Sequence, residues 1–210
     1  MSPAVLCFGD SNTWGSDPRD SNRRFPRDVR WPGVLQRELG ERFLVIEEGL
    51  GGRTTVFEDP LVPGRVGLEH IVMCLETHAP LDLAIITLGT NDVSDRGVSA
   101  AAVADGAGRI VDVVQRSTYG PGDGPPRVLL LCPPPVGPIT EFADMYAGAE
   151  EKSRELASGF RRVAGLLGCE WMDLGEVVTT SPIDGWHLEA PEHEKLGLAV
   201  AAKVREILGE

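Results

Sequence analysis

The sequence predicts one doubly wound α/β domain on a parallel sheet of about five strands, occupying the chain from Met1 to Glu210. Three features of the pattern predict it. Short apolar runs alternate with longer segments of helical period, the signature of strand–helix–strand units. One run, Leu81–Leu88, is almost continuously apolar, as a parallel strand buried on both faces must be. The runs also stop abruptly at polar or glycine-rich clusters, which in an open α/β sheet lie on the carboxyl edge where ligands bind.

The first strand begins at Pro3 and is broken by Gly9-Asp10-Ser11-Asn12, which delivers a serine to the sheet edge. The Arg- and Asp-rich segment Ser16–Val29, with Pro18 and Pro26, is expected to be a long loop at a pocket mouth or a subunit contact. A helix follows over Trp31–Leu39, with Pro32 tolerated in its first turn and Gly40 as its stop. Strand two is expected at Phe43–Glu47, then a Gly49-Leu50-Gly51-Gly52 turn and a second loop over Val56–Gly67. Helix two covers Leu68–Thr77 and strand three Leu81–Leu88. Ser99–Arg116 is Ala/Val-rich at helical spacing, and Arg127–Cys132 is strand four, ended by three prolines. Glu141–Gly168 reads as a helix with a break near Gly148, Cys169–Asp173 as strand five, and Ala190–Leu208 as a closing helix.

Composition narrows the function. The net charge of −12 argues against a nucleic-acid or anionic-membrane surface, either of which would need a basic patch. No apolar run approaches the ~20 residues of a membrane span, and the first strand begins too early to leave room for a signal peptide. The cysteines Cys7, Cys74, Cys132 and Cys169 form no C-x-x-C pair and read as small buried hydrophobes, so a cytoplasmic protein is expected. His70, His78 and His193 show no metal-ligand spacing, and neither a metal nor a cofactor is expected. Gly49-Leu50-Gly51-Gly52-Arg53-Thr54 has Thr54 where a dinucleotide fingerprint needs its third glycine.

The polar clusters suit acyl transfer. With all strands parallel, Ser11, Gly51-Gly52, Asn91-Asp92 and Asp184/His187 meet on one edge. A serine hydroxyl needs a base to remove its proton as it attacks; His187 can serve, with Asp184 three residues earlier holding its other ring nitrogen. The backbone N–H of Ser11, that of Gly52 and the side-chain amide of Asn91 can form an oxyanion hole. Asp10, Asn12, Trp14 and Trp186, beside the nucleophile and the base, are expected to contact substrate. Taken singly, Ser11 reads equally as a helix cap, and Asp184 and His187 read more readily as turn and helix-start residues. Their convergence carries the case.

Gly9-Asp10-Ser11, Gly52, Gly89-x-Asn91-Asp92 and Asp184-x-x-His187 resemble the four blocks of the SGNH (GDSL) hydrolases. Leu6–Ser11, Asp28-Val29-Arg30-Trp31, Ile46–Leu50, Arg53-Thr54-Thr55 and Leu88–Asp92 resemble more particularly its mycobacterial arylesterase/acyltransferase branch. The resemblance implies a flavodoxin-like three-layer α/β/α sandwich, a Ser11/Asp184/His187 triad and an oxyanion hole from Ser11, Gly52 and Asn91. From the branch it implies a cytoplasmic homo-octamer whose Ser16–Val29 and Pro133–Glu151 regions pack between subunits. The chain departs from the branch at Ser16, where the branch carries a tryptophan beside the pocket, at Gly51-Gly52, and at Val93-Ser94-Asp95-Arg96. The expected activity is hydrolysis of short acyl (acetyl or aryl) esters, with transfer of the acyl group to alcohols as a second outcome. A carbohydrate acetyl esterase or thioesterase is the alternative within the fold. A flavodoxin-like nucleotide-binding module is the non-enzymatic one.

Overall fold

Alternate residues of the first strand feed two different cores. Leu6 and Phe8 pack with one cluster and Val5 and Cys7 with the other, each fully buried. The computed structural model, which describes residues 2–94, 97–139, 144 and 146–209, extends that alternation to the whole sheet. In chain order the elements are β1 (Ala4–Gly9), α1 (Ser11–Trp14), β2 (Ser16–Asp17), β3 (Asp20–Arg24), α2 (Trp31–Leu39), β4 (Leu44–Gly49), α3 (Gly67–His78), β5 (Leu83–Thr87), α4 (Ala100–Gln115), β6 (Arg127–Cys132), α5 (Ala149–Leu167), β7 (Glu170–Asp173) and α6 (Ala190–Leu208). The main sheet is parallel and five-stranded, in the order β4-β1-β5-β6-β7. Helices α3, α4 and α5 cover one face through Ile71, Ile110 and Phe160. Helices α2 and α6 cover the other through Trp31, Leu35 and Val200. This is the three-layer α/β/α sandwich with the flavodoxin strand order, whose chain reversal between β1 and β5 opens a crevice at their carboxyl ends.

Two glycines floor that crevice. Gly9 and Gly49 lie side by side where β1 and β4 end, and α1 rests on both. A Cβ on Gly49 would stand 2.1 Å from the Trp14 backbone nitrogen, and one on Gly9 would stand 2.0 Å from Thr13 Oγ1. The absence of side chains there lets the helical turn carrying Ser11 settle directly onto the sheet edge.

Several element boundaries differ from expectation. Strand two continues through Glu47 and Glu48 to Gly49 because both carboxylates find partners: Glu47 takes Arg24, Arg27 and Arg30, and Glu48 takes His78. Strand three is trimmed to Leu83–Thr87, although Leu81 and Leu88 are also fully buried. The long loop Ser16–Val29 contains an antiparallel β2–β3 hairpin; every residue of β3 is exposed, so no hydrophobic alternation announced it. The helix expected from Glu141 begins at Ala149, behind a left-handed Gly148; Glu141, Phe142 and Ala143 lie outside the described residues. So do Asp95 and Arg96.

Cys7, Cys74 and Cys132 are buried and Cys169 is half-buried; none is in a disulfide. Burial pushes the thiols of Cys74 and Cys169 up to about 11, which keeps them protonated and unreactive. Among the described residues, no helix is long and apolar enough to cross a membrane, and no three His, Cys, Asp or Glu are grouped to hold a metal ion.

Candidate active site

The chain turns at Gly9 and immediately forms the single helical turn α1. Its cap is Asp10, not Ser11: the Asp10 carboxylate accepts from the Asn12 amide at 2.9 Å, which leaves the Ser11 hydroxyl out of the capping. Asp10 is almost fully buried. Burial raises its carboxyl above the usual range, opposed by the Asn12 amide, the Thr90 side chain and the charges of His187 and Arg53.

Beside Ser11 lies the turn that ends β4. Leu50 donates to the Gly9 carbonyl at 3.1 Å and Arg53 closes the turn onto Leu50 at 3.1 Å, with Gly52 at φ +73°, a conformation that favours glycine. The buried Arg53 guanidinium donates to the Gly9 carbonyl at 2.8 Å and to that of Glu48, and lies 4.1 Å over the Phe8 ring. The third segment arrives from β5. Asn91 donates its side-chain amide to the Arg53 carbonyl at 3.0 Å, while the Asp92 carboxylate accepts from the Thr55 amide and, at 2.7 Å, from its hydroxyl. These links fasten the Gly52 and Asn91 segments to each other. An amide nitrogen carries two hydrogens, so Asn91 keeps one for a ligand.

Asp184 and His187 sit in the loop before α6. The imidazole Nδ1 is 2.6 Å from Asp184 Oδ2, and Asp184 Oδ1 accepts from the backbone of Trp186 and His187 at 3.1 Å each. The turn depends on Gly185 at φ +88°, where a Cβ would lie 2.7 Å from the Pro138 carbonyl oxygen. Both triad candidates are buried, so their pairing operates away from bulk solvent.

Ser11, His187, Gly51, Gly52 and Asn91 border one cavity of about 250 Å³. Ser16, Ser21, Thr90, Val136, Tyr146 and Trp186 complete its wall, and the Trp186 and Tyr146 rings lie 4.9 Å apart. Of the four residues expected on the substrate, Trp186 alone is among the described lining residues. Asp10 is the helix cap. Asn12 spends both ends of its carboxamide on the backbone beside His187. Trp14 faces the hairpin, its carbonyl accepting from Arg24 Nε at 2.6 Å and its ring lying 5.1 Å from that guanidinium.

Residues 7–196, from within β1 to within α6, match the model of the GDSL-like lipase/acylhydrolase family. The chain belongs to that family. It is a carboxylic ester hydrolase of the GDSL type, and its solved relatives agree. The aryl esterase of M. smegmatis is 39% identical with a TM-score of 0.92, covering 98% of this chain and 99% of its own. A carbohydrate acetylesterase from Sinorhizobium meliloti is 39% identical with a TM-score of 0.93 over the same shares. A G-D-S-L family member from Veillonella parvula, 17% identical with a TM-score of 0.66, shares the fold. No curated protein matches the chain.

The residues that support the site of this GDSL hydrolase carry no signal of that role in the sequence. Arg53, Thr55 and Asp92 stand in the motifs without an expected role, and Tyr146 falls in the stretch expected to be helical, whose helix begins only at Ala149. His193, expected only not to bind a metal, is fully buried on α6. Its Nδ1 accepts from the Trp31 amide at 3.4 Å and the Phe25 ring meets it edge-on at 5.5 Å. Burial, with the positive charges of His187 and Arg30, pushes its imidazole down to about 3. An unfolded histidine titrates near 6.5, so between those values the unfolded chain binds a proton the native protein refuses, and stability falls as pH falls. From about pH 7 to about pH 5 this costs about 2 kcal/mol. Denaturant unfolding of His193→Leu should show a loss smaller by that amount over the same range; an unchanged slope would refute the assignment.

Proposed function

We propose that this hydrolase cleaves short-chain acyl esters through an acyl-enzyme on Ser11. One observation carries the reading: an imidazole already held at 2.6 Å by a buried carboxylate shares a small cavity with a serine hydroxyl left free of capping. Ser11 Oγ attacks the carbonyl carbon while His187 Nε2 takes its proton, and Asp184 stabilises the imidazolium that results. The N–H groups of Ser11 and Gly52 and the second Asn91 amide hydrogen receive the negative oxygen, often the largest single catalytic contribution. The imidazolium returns the proton to the departing alcohol. Water, deprotonated by His187, then releases the acid and restores Ser11.

A cavity of about 250 Å³ falls below the usual range for ligand pockets, which supports short acyl groups. Along a p-nitrophenyl ester series, kcat/KM should peak at acetyl or propionyl and drop about tenfold or more by hexanoyl, since overfilling a fixed pocket is costly. A rate that climbs with chain length would contradict this. Ser16, Ser21 and Thr90 bring polar groups to a wall that Val136, Tyr146 and Trp186 make half apolar, and these polar groups support water over alcohol as acyl acceptor. With an added alcohol in buffered water, free acid should exceed the transferred ester; predominant transfer would reverse the reading.

The same three side chains, with the paired Trp186 and Tyr146 rings, favour a second reading in which the leaving alcohol is a sugar, as the name of the Sinorhizobium meliloti relative suggests for that protein. An acetylated monosaccharide turned over faster than phenyl acetate would select it.

A further inference from the structure

Hydrogen bonds account for all the peptide groups around His187, and they come from two sources. The His187 amide donates to Asp184 Oδ1 at 3.1 Å, and the His187 carbonyl accepts from Ser181 at 2.7 Å. Both partners belong to the same loop and would move with it. The outer groups are held from elsewhere. The Trp186 carbonyl accepts from Asn12 Nδ2 at 3.1 Å, and the Leu188 amide donates to Asn12 Oδ1 at 3.0 Å. One planar carboxamide thus grips the chain on both sides of the imidazole-bearing residue. It does so from the position next to Ser11, across 174 and 176 residues of sequence.

We infer that Asn12 is a positioning residue that fixes the separation of the Ser11 hydroxyl and the His187 imidazole, and hence the efficiency of proton transfer in the reaction proposed above, on which this inference rests. The side-chain chemistry is specific. The clamp needs one donor and one acceptor in a plane, which asparagine supplies, whereas aspartate supplies acceptors alone and leucine of similar size neither. Asn12 is itself pinned: its backbone amide donates to the Asp10 carboxylate at 2.9 Å and its side chain is buried. Without the carboxamide the Asp184–His187 pair stays intact inside its loop, but nothing in α1 holds that loop in register with Ser11. Misplacement by about 1 Å costs about 100-fold in such reactions.

Because Asn12 acts through His187, its removal should matter when His187 is present and not otherwise. The test is a double-mutant cycle on p-nitrophenyl acetate hydrolysis with Asn12→Leu, His187→Ala and both together. Asn12→Leu should lower kcat by about 10- to 100-fold with KM nearly unchanged, and should alter the residual turnover of His187→Ala by less than about twofold. Asn12→Ala, which removes the clamp without setting a buried charge against the Trp186 carbonyl, should show a comparable loss with the same dependence on His187. It replaces the leucine variant in the cycle if that variant does not fold. Equal losses with and without His187 would overturn the inference and make Asn12 a general support of the fold. Full turnover by His187→Ala would instead overturn the triad reading on which the clamp depends, so the two failures are told apart.

Discussion

Ser11→Ala should abolish turnover of p-nitrophenyl acetate, with kcat falling by roughly 10⁴-fold or more while the protein folds as before. Both halves of that expectation come from the same local structure. Ser11 borders the cavity together with His187, so in the proposed mechanism its replacement removes the atom that would form the acyl bond. It does not cap α1, because Asp10 does, so the helical turn keeps its amide acceptor. Unfolding free energies of variant and wild type from denaturant titration should agree to within about 0.5 kcal/mol, as for a substitution that breaks no buried bond. Retained turnover in the folded alanine protein would remove Ser11 as nucleophile.

Asp184→Asn should give the second large effect, a fall in kcat of about 10⁴-fold with little change in shape. The carboxylate is an acceptor on both sides: Oδ2 faces His187 Nδ1, and Oδ1 takes the Trp186 and His187 amides. An asparagine must turn its NH₂ toward one side or the other. Toward the ring, it forces Nδ1 to accept, places the proton on Nε2 and disables the base. Toward the backbone, it opposes two N–H donors with a third, and the loop loosens. Either way the imidazolium loses its counter-charge. A variant within about tenfold of wild type in kcat would show that Asp184 only shapes the turn.

The architecture was legible because it is written in hydrophobic period. Continuous apolar runs marked β1, β5 and β6, and Ser99, Gly40 and Pro32 stood at or within the ends of helices as capping chemistry requires. The β2–β3 hairpin was not legible, since a strand of Asp, Ser, Asn and Arg exposed on both faces carries no period. At the site, glycine and serine at strand ends, and an Asp–His pair three residues apart, pointed to the chemistry. Proximity in the chain to Ser11 does not put Asp10, Asn12 or Trp14 among the residues that border the cavity: Asp10 caps α1, Asn12 bonds the backbone beside His187 and Trp14 meets Arg24. The roles of Arg53, Thr55 and Asp92 depend on bonds between distant segments, which a single sequence does not display.

The central claim is that one particular serine carries the acyl group, and the cavity itself makes the claim demanding, since Ser16 and Ser21 border it as well. Quenching the enzyme in acid during p-nitrophenyl acetate turnover and mapping the acetyl group by peptide mass spectrometry tests it most directly. The account predicts one acetyl group, on the peptide containing Ser11 and localised to that residue, absent from Ser11→Ala. Acetylation of Ser16 or Ser21 in its place, with turnover intact when Ser11 is alanine, would contradict it.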